Sequence, residues 1–598
     1  MPQRALFAEP DLELTQRADG AMLLRSRVAL EPYPDSIGAL LRRWAHERGE
    51  RTFLGERDGA GWRTVTYAQM LERVRSVAAT MLDLGLNRDT PVAILSEASI
   101  AHATVSLGAL YAGIPVAPIS PAYSTAFGDL RRLEFVLGAL RPGLVFAADA
   151  DVYRDALALA GATTHVAFER GTPPRAGART LEQFVATASV AAADRAAARV
   201  RPEDVAKILF TSGSTGEPKG VLNTHRMLCS NQQSLVQIWP FLAQHDLVLV
   251  DWLPWHHTFG GNHNFNMALF HGGTLYLDDG KPMPGRFERS VEALAEHRPT
   301  VYFNVPRGHA MLVAALSADP SFAERFFSRL HLIGNAAAAL PATTWNALRE
   351  LAARYGGGDV PVTGSWGLTE TAPMVTAVHY PLRDPADVGV PAPAAELLLA
   401  PYENKLEVRV RGPMVTPGYW GRPDLTAAAF DDEGFYRTGD ALRLADARDP
   451  ARGVLFDGRL AENFKLTTGT WVDAGAVRVA LLSALGALID EAVVAGENRD
   501  EIGVLLFVGW RARGAYDDET LRAELARMLA AYNAGATGSS HRVGRALIVG
   551  DPLSPAAGEI TDKGSVNQRR VLANRAPLVE RLFSAADANV ILTPEPVA

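Results

Sequence analysis

A single cysteine, Cys229, stands in a chain of 598 residues. That excludes an internal disulfide and a cysteine-based zinc site, and it suits a reducing cytoplasm. No catalytic-cysteine signature surrounds it, so a small buried side chain is expected there. Positive charge is not in excess either: 59 Lys and Arg face 67 Asp and Glu, a formal net charge of −8. A nucleic-acid-binding surface, which needs a basic stripe, finds no support. Long apolar runs are also missing. The most apolar long region, Val92 to Pro121, is interrupted by Glu97, His102 and several prolines, which marks buried core rather than a membrane span. The N-terminus has early acidic residues and no apolar stretch of a secretory signal, so a cytoplasmic location is expected.

What is present reads as an enzyme of ordinary composition, 48% hydrophobic and 21% charged, long enough for more than one domain. Short apolar strands alternate with amphipathic helices: PVAILS, ASIAHATVSLGALYAG, IPVAPIS, GLVFAAD, KILFTS, TVYFNVP and LHLIGN. That alternation predicts an α/β fold with largely parallel sheet. TYAQMLERVRSVAATMLDLGL opens on Thr66 with Gln69 three residues later, a capping box. A Pro- and Ala-rich stretch, roughly 171–201, reads as a linker. Beyond Gly458 the series becomes helix, strand, strand, helix, strand, a small α+β domain. The expected division is a large domain of stacked α/β subdomains over 1–460 and a small mobile domain over 461–598, with GRLAENFK as the hinge.

Chemistry concentrates first in ILFTSGSTGEPKG, Ile208 to Gly220. Gly213 and Gly216 permit a backbone nest, Thr211, Ser212, Ser214 and Thr215 add hydroxyls, and Lys219 adds a positive charge. That combination suits a polyphosphate. It is not a Walker A loop, since Gly220 rather than Ser or Thr follows Lys219. A flexible Gly/Ser turn is the structural alternative. In DWLPWHHTFGGNHNFN, His256, His257 and His263 stand among aromatics; without a nearby carboxylate to complete a metal site, they read as a pocket wall. In GSWGLTETAP, Glu370 is either a helix cap or, beside a phosphate loop, a natural Mg²⁺ ligand. FYRTGD ends in Asp440, whose short carboxylate could accept from two ribose hydroxyls. Lys563 lies in GEITDKGSVNQRR.

The ordered set TSGSTGEPKG, LPWHH, GSWGLTET, YRTGD, GRLAENFK and ITDKGSVNQR resembles the adenylate-forming superfamily of acyl-CoA synthetases, aryl-CoA ligases and luciferases, over roughly residues 30–575. DGRLAENFKLTTGTWV, FNVPRGHAML and EITDKGSVNQR look most like feruloyl-CoA synthetases, which activate hydroxycinnamates. The resemblance implies a ligase using ATP, Mg²⁺ and coenzyme A, acting through an acyl-AMP. It implies that the loop from Thr211 to Lys219 holds the β- and γ-phosphates, Glu370 holds Mg²⁺ and Thr369 touches the α-phosphate. Asp440 and Arg459 would hold the ribose; Gly334, Asn335, Ala336 and Trp366 with Gly367 would line the adenine. Lys563 would bridge substrate carboxylate and α-phosphate, and His257 would sit between the carboxylate and the acyl pocket. Lys465, Gly469 and Trp471 would serve the thiol tunnel.

Three positions depart from the family pattern. Trp366 stands where Tyr is usual, the Lys465–Val472 segment is one residue longer, and the lysine motif reads T-D-K-G. Lys563 is nonetheless the sole lysine after Lys465. Trp239, Trp252, Phe259, Phe265, Phe303, Asn264, Asn266 and Asn304 are candidate acyl-pocket residues, with core packing as the alternative. A free-standing enzyme loading a carrier-protein thiol and a medium-chain fatty acyl-CoA synthetase remain open readings. The segment after Lys563 is too short for an attached carrier or reductase domain. The expected partners are a small carboxylic acid, ATP and coenzyme A, without nucleic acid or membrane; a homodimer is compatible with this reading.

Overall fold

The computed structural model describes residues 6–125, 130–186, 189–211, 217–283, 285–336, 338–357, 360–486, 488–536, 538–554, 557–560, 566–584, 587 and 590–593. Within these the chain forms a large N-terminal domain and a smaller C-terminal one. A seven-stranded sheet of the large domain runs in the order Lys219–Thr224, Val205–Thr211, Val116–Pro118, Val92–Ile94, Leu144–Asp149, His165–Arg170, Arg179–Thr180. All its neighbours are parallel except the first pair. A second, four-stranded sheet contains Val248–Asp251 and Thr274–Leu277. The helices Tyr67–Asp83 and Ile100–Tyr111 pack against each other, the first opened by the expected Thr66/Gln69 capping box.

Two features differ from the sequence reading. The third sheet, eleven-stranded, is parallel only over Val301–Asn304, Leu332–Asn335 and Val362–Gly367. Elsewhere it pairs antiparallel, including Tyr436–Leu444 with Val454–Arg459, because no long crossover helix separates those strands. The stretch read as a linker is folded. Leu181–Val185 and Ala191–Ala197 are helices that bury Phe184, Ala193 and Ala197 against Tyr67–Asp83. Asp194 ties them down by accepting from Arg75 Nε and the Tyr111 hydroxyl, each at 2.8 Å. Its alanines are contact surface, not slack.

The C-terminal domain stacks the helices Ala474–Leu485 and Asp518–Ala534 on a sheet ordered Ile489–Ala495, Ile502–Val508, Val543–Val549, Val590–Leu592. Val477, Leu481, Leu485, Leu525 and Leu529 share one core with Val494, Val504 and Leu506. The two domains are clasped at the seam. Asp473 caps the helix Ala474–Leu485 by accepting from the Ala476 N–H at 2.9 Å. Its other oxygen lies 2.5 Å from the Lys405 ammonium of the large domain, a side chain only 8% exposed. Lys405 also donates to the Asp457 carbonyl. Arg569 donates to the carbonyl of Ala461 in the segment that joins the two domains.

Candidate active site

One cleft of about 1850 Å³ lies where the domains meet. Each wall is set by local structure. Thr211 ends one strand and Lys219 opens the next, and the two are direct partners in an antiparallel register; both line the cleft. Ser212, Gly213, Ser214, Thr215 and Gly216, which join them, lie outside the described residues. The Lys219 ammonium sits 5.6 Å from the Tyr419 ring centroid.

The strand Val362–Gly367 delivers the opposite wall. Gly367 closes the turn beneath it, since a Cβ there would overlap the Pro373 carbonyl. A short turn, Thr369–Thr371, then presents Thr369 and Glu370 to the cleft. Glu370 Oε1 accepts from the Tyr419 hydroxyl at 3.2 Å, and the Tyr419 hydroxyl lies 3.0 Å from the Tyr436 hydroxyl. Burial, with Glu370 alongside, pushes both phenols well above their ordinary range. They therefore remain neutral donors beside the carboxylate. Tyr436 belongs to the FYRTGD motif, whereas Tyr419 lies in none of the quoted motifs.

Trp366 and Asp440 meet directly. The indole N–H donates to Asp440 Oδ2 at 3.0 Å, and Oδ1 lies 3.6 Å from Arg459 Nε. Burial raises the Asp440 carboxyl, against the pull of Arg459 and the indole. The tryptophan that departs from the family pattern thus supplies a charge-assisted donor in place of a phenol. Asn335 and Ala336 line the cleft, and buried Asn335 Oδ1 has no hydrogen-bond partner among the described residues. Gly334 does not line it. It pairs in register with Phe303, and a Cβ there would overlap the Phe303 ring, so the glycine permits that close packing.

His256 and His257 line the cleft ahead of a π-helical turn, Phe259–Asn264, which contributes Phe259 and His263. Of the acyl-pocket candidates only Phe259 belongs to this wall. Trp239, Phe265, Phe303, Asn264, Asn266 and Asn304 are buried and do not line it; Phe303 and Asn264 pack directly behind His263, Trp239 stacks on Phe303, and the Trp252 indole N–H donates to Asn304 at 3.2 Å. The sequence reading also overlooked a carboxylate: Asp251 reaches His263 through Asn264. No cluster of three metal-ligating side chains occurs among the described residues. Cys229 is fully buried.

The C-terminal domain faces the cleft with Gly558, Ile560, Val566 and Gln568. Lys563 lies outside the described residues. The hairpin carrying Lys465, Gly469 and Trp471 does not line the cleft: Lys465 pairs with Trp471 across it, its ammonium 4.6 Å from the indole centroid.

The two domains enclose a cleft lined by a lysine, a tyrosine-held glutamate and a buried aspartate. A family model described as AMP-binding enzyme matches residues 41–420, and one for the AMP-binding enzyme C-terminal domain matches 463–587; the chain belongs to the AMP-binding enzyme family. A long-chain-fatty-acid–CoA ligase of Mycobacterium bovis is 28% identical over 537 residues, 80% of this chain and 84% of that one. A 3-hydroxybenzoate–CoA ligase of Aromatoleum is 26% identical over 458 residues, 74% of this chain and 80% of that one. The crystal structure of ATP-bound MatB from Rhodopseudomonas palustris superposes with a TM-score of 0.70 at 26% identity, over 91% of this chain and 99% of that one. No described helix is long and apolar enough to cross a membrane.

Proposed function

We propose that the protein is an AMP-forming acid–thiol ligase that activates a hydroxycinnamate such as ferulate as its acyl-AMP and transfers the acyl group to coenzyme A. The acyl- or aryl-CoA ligase part has the support of the curated relatives. The observation that carries the reading is the convergence of Lys219, Thr369, Glu370, Asp440 and His257 on one cleft. In the first step a carboxylate oxygen attacks the α-phosphorus of ATP, and the bond to pyrophosphate breaks with its electrons leaving on pyrophosphate. Two anions must meet, so cationic groups aimed at the phosphates are what the step demands. Lys219 and the loop before it take the β- and γ-phosphates, and Lys563 bridges carboxylate and α-phosphate. Asp440, held by Trp366 and Arg459, accepts from the ribose, and the orphaned Asn335 Oδ1 accepts from the adenine amino group. In the second step the coenzyme A sulfur attacks the acyl carbon, AMP leaves, and the thiol proton passes to solvent.

Mg²⁺ fits the donor set. Glu370 lines the cleft with a carboxylate set by Tyr419 and Tyr436, and a single carboxylate completed by nucleotide oxygens is a common Mg²⁺ arrangement. The ion would supply neutralisation of phosphate charge. The domain boundary at 460/461 and the hinge over Arg459–Glu462 belong to the same reading. One small domain offers Lys563 in the first half-reaction and the Lys465–Trp471 hairpin in the second. Pyrophosphate release from MgATP over a panel of hydroxycinnamates, benzoates and fatty acids, with thioester formation on adding coenzyme A, tests the proposal. Formation of ADP, or no acid-dependent pyrophosphate, would sink it.

A further inference from the structure

The π-helical turn Phe259–Asn264 is held from behind by buried side chains. Lys207 donates to the Gly261 carbonyl at 2.7 Å, and Gln232 donates to the carbonyls of Asn262 and His263 at 3.1 and 3.2 Å. The Asn262 amide donates to Asn223 at 2.6 Å. Such turns are frequent at functional sites. This one holds an ammonium so deeply that burial pushes it down to about 7. A wall made merely of apolar packing has no need of that.

The same turn fixes the orientation and tautomer of His263. Its Nδ1 lies 2.8 Å from Asn264 Oδ1. The Asn264 amide nitrogen donates to Asp251 Oδ2 at 2.9 Å, while Asp251 Oδ1 accepts from the Leu253 N–H at 3.0 Å. Both Asp251 oxygens receive N–H groups when the carboxyl is ionised, which sets Asn264 with its nitrogen toward Asp251 and its oxygen toward His263; burial pushes that carboxyl up to about 7, so the arrangement holds above that pH. An amide oxygen only accepts, so with Asp251 ionised His263 Nδ1 carries the ring proton. Burial pushes the imidazole down to about 4, so the ring is neutral. Nε2 is left as the acceptor of the ring. The ring is clamped edge-on by Phe259 and Phe303, at centroid distances of 5.6 and 4.7 Å, and it lines the cleft beside Phe259.

We propose that His263 Nε2 accepts a hydrogen bond from a hydroxyl on the tail of the acid substrate, with Asn264 and Asp251 as positioning residues that keep it an acceptor. The inference rests on the acid-activating reading above and narrows it to acids whose tail carries a donor, the phenol of a hydroxycinnamate being the fitting class. A site built around a buried acceptor rejects the analogue lacking the donor, because desolvation then goes uncompensated.

The test compares matched pairs, 4-hydroxycinnamate against cinnamate and 8-hydroxyoctanoate against octanoate, in pyrophosphate release. The quantity read is the ratio of kcat/KM within a pair on one preparation, which cancels the fraction of active enzyme. The native protein should favour the hydroxylated member of an accepted pair by about 10–100-fold. His263→Phe, which keeps the aromatic edge and removes the acceptor, should bring the ratio to about 1 or below. His263→Gln, whose amide oxygen still accepts, should retain part of the preference, and Asn264→Leu should lose part of it. Equal losses for both members of a pair in His263→Phe, or no preference in the native protein, would overturn the inference. If only the octanoate pair turns over, the hydroxycinnamate assignment fails, and the ratio in that pair still decides the role of His263.

Discussion

Replacing Trp366 with Phe removes one hydrogen-bond donor and keeps a ring. Asp440 is 4% exposed. Its firm described partner is the indole N–H at 3.0 Å; the other oxygen faces Arg459 at 3.6 Å, a side chain 60% exposed and therefore screened by solvent. A hydrogen bond to a charged group is worth about 1.5–3 kcal/mol net, or roughly 10- to 150-fold in an equilibrium constant. If Asp440 holds the ribose, Trp366→Phe should raise the KM for ATP within that range. A pH shift should accompany it. Burial already raises the Asp440 carboxyl, and the indole opposes that. Without the indole the carboxyl rises further. The ionised form is the one that accepts from ribose hydroxyls, so activity falls as pH drops through this pKa. The acid limb of kcat/KM for ATP, which reports the free enzyme, should therefore move to higher pH. Steady-state kinetics between pH 5 and pH 8 read both effects. An unmoved limb, with an ATP KM within twofold of native, would refute the assignment of Asp440 to the ribose.

The remaining predictions concern the other walls of the cleft. Glu370→Gln should raise the magnesium requirement of the first half-reaction, because an amide dipole replaces a carboxylate charge; superimposable magnesium titrations would leave Glu370 a structural member of the Tyr419–Tyr436 cluster. Lys563→Ala should cut adenylation by about 10²–10³-fold while sparing thioester formation from supplied acyl-AMP, and equal loss in both half-reactions would remove it from the first step. Ala461→Pro fixes φ at the proposed pivot and should impair one half-reaction far more than the other; native rates in both would place the pivot elsewhere or make a swing unnecessary.

The sequence carries the parts of this architecture that depend on period and on local chemistry. Alternating strands and helices, the Thr66 cap and the motifs around Glu370 and Asp440 are legible because their neighbours lie within a turn or a strand. Relations across the chain are not. Tyr436 reaches Glu370 from the start of an antiparallel strand of the large sheet, and Tyr419 from a loop bridged to Val221 in the other sheet; neither relation is marked by the residues next to them in the chain. Trp239 and Phe303 suit a pocket as well as a core by residue type; the fold decides for the core by stacking one on the other. The 171–201 stretch was misread because alanine is taken for slack where helices pack closely. His263 looked like one histidine among three. Its distinction lies in Asn264 and Asp251, which share its quoted segment but touch it only because a π turn brings them into line.

The clasp between Lys405 and Asp473 bears on any attempt to exchange C-terminal domains among relatives. A cut at the proposed boundary leaves Lys405 and Asp457 on the recipient side and takes Asp473 away with the graft. A donor without an acid at that place would leave a nearly buried ammonium with Asp457 alone and uncap its own first helix together, since one carboxylate serves both. The seam for recombination is therefore not the hinge but a pair of residues 68 positions apart, and compatible donors can be sorted by whether they bring the acid with them.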